Sequence, residues 1–143
     1  MIVKQKALNI LKSISFLASK NALLLEDDEE RLKNSVLYPE WQIGNHVVGE
    51  IYNSEGQTWE CFQSYDNAVY PDITPENEAW FTFNRPLHGK SPETARTFVK
   101  PMGAHDIYHI DEYVIWTDSE IYCCLQDTPY SPNEYKQAWQ IVE

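Results

Sequence analysis

The chain is poor in positive charge. Its 143 residues carry 11 Lys and Arg against 22 Asp and Glu, a formal net charge of −11. Contact with a nucleic-acid backbone needs a basic footprint, and docking on an anionic bilayer needs clustered Lys and Arg. Neither partner fits this balance. Long apolar runs are also missing. None approaches the roughly 20 residues that cross a bilayer, and Lys12 and Lys20 interrupt the N-terminal apolar segment. A cleavable signal peptide is not expected there. Glycine is scarce, and none of the five forms a phosphate-cradling loop. The three cysteines, Cys61, Cys123 and Cys124, are odd in number and lack metal-ligand spacing. A reduced, buried role as small apolar side chains is expected. Aromatic residues, by contrast, are plentiful: five Trp, nine Tyr and five Phe. Rings in that number serve a small β core or a binding face.

The pattern changes along the chain. Val3, Ala7, Ile10, Ile14 and Leu17 recur at helical steps, with Leu8, Leu11 and Ala18 widening the stripe and Asn21 as a stop. A second helix is predicted from Glu26 to about Asn34. Acids Asp27 to Glu29 stand at its start, with Arg31 and Lys33 at its end, as the helix dipole favours. From Trp41 onward, short β-like runs alternate with turn residues. Thr58–Gln63, Tyr113–Trp116 and Glu120–Leu125 read as strands. The polar stretch from Asn84 to Pro101 reads as a linker.

An internal repeat organises this half. Gly49-Glu50 leads to Trp59-x-Cys61-x-Gln63, then Pro71, Pro75 and Ala79-Trp80. Asp111-Glu112 leads to Tyr122-x-Cys124-x-Gln126, then Pro129, Pro132 and Ala138-Trp139. Cys61 and Cys124 are therefore expected at one core position of two related units. Each unit is about forty residues, too small for a deep core, so a few large side chains must do the burying.

These residues carry a resemblance. Trp41-x-x-Gly44, Val48-Gly49-Glu50, Trp59-x-Cys61 and Trp80 resemble the chitin-binding type 3 pattern of carbohydrate-binding module families 5 and 12. Tyr108-x-x-Asp111-Glu112, Tyr122-x-Cys124 and Trp139 repeat it. The second unit departs by Asp111 where glycine is usual, and by Met102 or Gly103 in place of the opening Trp. His46 stands near a usual aromatic position in the first. Leu37-Tyr-Pro-Glu-Trp41 behind a helical leader is similar to phage and prophage tail-associated proteins.

The resemblance implies an α+β chain. A helical leader with a helix pair spans 1–37. A first carbohydrate-binding-like module spans 38–83, a linker 84–101, and a second module 102–143. Each module is expected to be a small antiparallel three-stranded sheet. It further implies a non-catalytic adhesion protein that binds host polysaccharide through rings exposed flat: Trp41, Tyr70, Trp80, Trp116, Tyr130 and Trp139. No cofactor is expected. Expected partners are a chitin-like or cell-wall glycan and other phage structural proteins, with homo-oligomers formed through the first helix. Synthesis in a host cytoplasm and a place in the virion follow from the same resemblance. A structural tail or baseplate part, with the modules used for subunit contacts, is the alternative. His105, Asp106, His109 and Asp111 as a metal cluster, and Glu50 with Glu112 as hydrolase carboxylates, are weaker readings. Turn roles explain both glutamates better.

Overall fold

The computed structural model describes residues 25–77, 79 and 82–143. The first predicted helix and the candidate residue Trp80 lie outside them. The described residues form an α+β arrangement of one short α-helix, a few 3-10 turns and mostly antiparallel sheets. No helix among them is long and apolar enough to cross a membrane.

Helix α1 covers Asp28–Lys33, shorter at both ends than the sequence suggests. Asp27 caps it, its carboxylate accepting the N–H groups of Glu29 and Glu30. The acidic run is thus a capped helix start. Leu32 turns inward and packs with Tyr38, Ile51 and Leu87.

The strands follow in order: β1 Asn45–His46, β2 Ile51–Ser54, β3 Gln57–Cys61, β4 Tyr65–Asp66, β5 Asn84–Pro86, β6 Arg96–Thr97, β7 Tyr113–Ile115, β8 Ile121–Cys124 and β9 Trp139–Ile141. They form a pair β1-β4, a sheet β2-β3-β5 and a sheet β6-β7-β8-β9. The first main sheet has the three antiparallel strands expected. The second has a fourth, because β6 runs parallel to β7. Both β5 and β6 come from the 84–101 stretch expected to be a linker. Its polar residues are put to use there: Asn84 and His88 are buried, beside Leu87.

Turn chemistry explains the hairpins. Ser54 pairs with Gln57 around Glu55 and Gly56, whose φ angles of 51° and 78° give the two-residue turn that matches strand twist. The β7–β8 loop is longer and closes through Ser119 at φ 67°.

The repeat holds at atomic detail. Gly49 donates to the Cys61 carbonyl and Cys61 returns a bond to Glu50; Asp111, Cys124 and Glu112 do the same. Gly49 and Asp111 share left-handed backbone, at φ 97° and 70°. Aspartate tolerates that region better than most residues, which accounts for Asp111 where the first repeat has Gly49. Each buried thiol faces a carbonyl, Cys61 to Gln63 at 3.2 Å and Cys124 to Gln126 at 2.9 Å. Both glutamates are turn residues. Glu50 accepts from Val47 N–H and bonds His46; Glu112 accepts from His109 N–H and bonds His88.

One part of the proposed alignment changes. Cys124 pairs with Trp139, but Cys61 pairs with Asn84. Asn84 therefore stands at the Trp139 position. The first repeat has a longer loop before its closing strand, so matching Ala-Trp to Ala-Trp slips the register. Asn84 fills its place as a polar residue by bonding the buried Tyr52 hydroxyl.

Charge anchors α1 to this sheet. Arg85 bonds Asp28 through two nitrogens, at 2.7 and 2.9 Å, and Glu60 at 2.8 Å; Arg31 reaches Glu60 at 3.1 Å. Burial alone pushes the Asp28 pKa up. The Arg85 bonds and charge outweigh it and hold the carboxyl below its ordinary value. A depressed pKa stabilises the fold above the ordinary carboxylate range, near pH 4, and that share disappears as pH falls through the folded value. Arg85→Ala should cost about 2 kcal/mol at pH 7, because it removes the two-nitrogen partner of Asp28 and leaves Arg31 as the one cation near both carboxylates. The cost should shrink toward pH 2, as the Asp28 carboxylate is lost. Urea unfolding at the two pH values checks this; an equal loss at both would show that the charge is not responsible.

Candidate functional site

The second repeat opens a cleft of about 420 Å³ where β8 and β9 meet the β7–β8 loop. Small-molecule sites span roughly 300–1,000 Å³. Trp116, Tyr122, Trp139 and Ile141 supply apolar wall, with Pro132; Asp118, Asn133 and Lys136 supply the polar rim. Tyr122 lies on the core side of β8, opposite Val114 and Ile141. Val114 is sealed, but Tyr122 is half-exposed because the core ends there.

Neighbours fix the walls. Phe98 meets Trp116 edge-on, with centroids 5.4 Å apart at 83°, and meets Trp139 at 81°. The Trp139 indole N–H donates to the Tyr130 carbonyl at 3.0 Å. The Tyr122 hydroxyl donates to Asp118 at 2.8 Å, and that bond holds its phenol above the ordinary range. The other Asp118 oxygen accepts Glu120 N–H. Lys136, the Asn133 amide and the Trp116 indole N–H make no hydrogen bond or ion pair among the described residues. They are spare donors around an apolar floor.

The corresponding face of the first repeat is closed. Trp59 matches Tyr122 in register and is 2% exposed. Residues 97–99 lie over it. The Gln57 amide donates to the Thr97 carbonyl, and Val99 packs on the cluster of Tyr52, Trp59, Cys61 and Tyr65. Phe98, between them, points the other way into the second repeat. The period-two alternation of an extended chain lets one segment cover both units.

The five candidate rings among the described residues do not form one surface. Trp116 and Trp139 share the cleft, although Trp139 is 6% exposed and offers little more than its edge. Tyr130 is 51% exposed and stacks on Tyr135, beyond the cleft-lining residues. Tyr70, 61% exposed, sits on a separate loop beside Val69 and Pro71. Trp41 is half-buried: its indole donates to the Tyr65 hydroxyl and its ring stacks on His46. Tyr122, Asp118, Asn133 and Lys136 were missed by the sequence reading. Tyr122 stands at a β-strand position, where a core role is expected, and the other three lie in loops or a 3-10 turn with no motif.

Other sites are weaker. A second cleft of about 400 Å³ includes Tyr38, Asn53, Gln57 and Arg96, but its aromatic residue is buried. Among the described residues no group of three His, Cys, Asp or Glu side chains could hold a metal ion. Asp106 instead accepts from Met102 and Gly103 N–H, and His109 pairs with Asp127. Neither a protein-family model nor a curated protein matches the chain.

Proposed function

We propose that the protein is a non-catalytic saccharide binder and that the cleft of the second repeat is its site. The carrying observation is the open aromatic cleft whose rim keeps unspent donors. Sugar rings present apolar C–H faces and polar edges. Trp116 and Tyr122 suit the first; the Asn133 amide and the Trp116 indole N–H suit the second. The closed face over Trp59 fits a structural role for the first repeat and, among the described residues, leaves the open face to the second. Attachment to host polysaccharide as part of a phage-type particle is the setting that the chitin-binding-like residues suggest.

Affinity should be modest. Each ring adds about 0.5–1.5 kcal/mol beyond its burial, and a millimolar complex needs about 4 kcal/mol. Adhesion would then depend on many copies of the chain in one particle. Trp116→Ala should reduce binding to insoluble chitin or peptidoglycan at least tenfold, and Trp41→Ala should leave it within twofold. Pull-down with quantified depletion measures both. Equal losses from the two variants, or no binding by the unmodified protein, would sink the reading. The structural alternative draws on the rings that are core, such as Trp59 and Trp139. It places subunit contacts where binding is proposed here.

A further inference from the structure

The polar rim of the cleft is lopsided, and the imbalance points to a ligand class. We infer that the cleft prefers an acidic saccharide, with Lys136 taking the sugar carboxylate; this rests on the saccharide reading above. Two charged side chains line the cleft, Asp118 and Lys136. Asp118 is committed on both oxygens, to Glu120 N–H and to the Tyr122 hydroxyl. Lys136 has no partner among the described residues, in a chain with twice as many acids as bases. Elsewhere Arg31, Lys33 and Arg85 meet carboxylates within 4 Å, whereas Lys90, Arg96 and Lys100 form no ion pair among the described residues; what sets Lys136 apart is its place on the cleft of Trp116 and Trp139. The 3-10 turn Lys136–Ala138 leads directly into Trp139, so the ammonium is tethered beside an aromatic wall. Asn133 and the Trp116 indole N–H add neutral donors on the same rim. The cleft thus offers more donors than acceptors.

A carboxylate on a stacked sugar ring would match that surplus. A purely neutral sugar would use the rings and Asn133 but leave Lys136 idle. The protein's overall negative charge opposes an anionic ligand at long range. At physiological salt that opposition is screened beyond about 8 Å, whereas an ammonium–carboxylate contact partly buried in the cleft is screened less.

Two hexasaccharides separate the possibilities. Chitohexaose is neutral and built of N-acetylglucosamine. Hyaluronan hexasaccharide alternates that sugar with a glucuronate, and so adds carboxylates. Titration calorimetry on the full chain at 0.15 M salt should show hyaluronan binding about tenfold more tightly, the size of one charge-assisted hydrogen bond. Lys136→Gln should bring the two within twofold of each other by weakening the hyaluronan complex. Lys136 is exposed, so the variant should keep its near-UV circular dichroism. Equal affinity of both sugars for the unmodified protein would overturn the acidic preference while leaving saccharide binding intact. So would a preference that survives Lys136→Gln. Binding of neither sugar would overturn both.

Discussion

Glu112→Ala should destabilise the protein by about 3 kcal/mol, within the range for breaking a buried pair from one side. Glu112 and His88 are each 5% exposed. The carboxylate bonds His88 Nδ1 at 3.0 Å and accepts His109 N–H. Truncation would strip both of their acceptor. His88 cannot compensate: its Nε2 already lacks a partner among the described residues, and its ring is stacked on Tyr108 with centroids 3.9 Å apart. For a chain of this size the loss corresponds to a fall in Tm of about 10 °C. Glu112→Gln keeps an acceptor oxygen and should cost about half as much. Glu50→Ala, at the matching turn of the first repeat, should cost about 1 kcal/mol, because its side chain is 36% exposed. Thermal unfolding by circular dichroism ranks the three. Equal losses from Glu50→Ala and Glu112→Ala would contradict the difference in burial.

The second large effect is chemical. In the native protein Cys123 should react with iodoacetamide first, and Cys61 and Cys124 should be spared. Burial pushes the Cys124 thiol up to about 12 and raises Cys61 as well. At pH 8 a thiol titrating near 12 is thiolate about once in 10⁴ molecules, and the thiolate is the reacting form. Both side chains are also fully enclosed. Cys124 should therefore label at least 10³-fold more slowly than a free thiol. Cys123 is half-exposed. A light label under native conditions, a heavy label after unfolding and mass spectrometry give the ratio at each site. Comparable native labelling of Cys123 and Cys124 would mean that the β8 core face opens readily.

Which parts of this arrangement are legible in the sequence depends on how local their cause is. The aromatic-x-Cys-x-Gln strand is written in adjacent residues, so its repetition identified the two sheets and the shared thiol position. Helix α1 was legible for the same reason, since its cap and charges are neighbours in the chain. The closing strand was harder. Asn84 takes the Trp139 position because it bonds Tyr52 and Tyr65, residues distant in sequence. Nothing near Asn84 announces that. The linker reading failed on composition. Thr97 and Val99 serve one repeat and Phe98 the other, so the segment shows no single apolar face. The cleft was half legible. Trp116 and Trp139 stand out in the sequence as candidate rings, but Tyr122, at a β-strand position like Trp59, reads as core. What separates the two is residues 97–99, which cover only Trp59.

That covering segment also sets a rule for growth. Residues 96–99 belong to the sheet of the second repeat, yet they roof the first. The first unit is thus completed by the lead-in of the second, as one roof tile overlaps the next. A third unit appended in the same manner would close the Trp116–Tyr122 cleft and expose a new one at the far end. Lengthening the chain would relocate its open cleft without multiplying it. A higher valency has to come from assembling chains side by side.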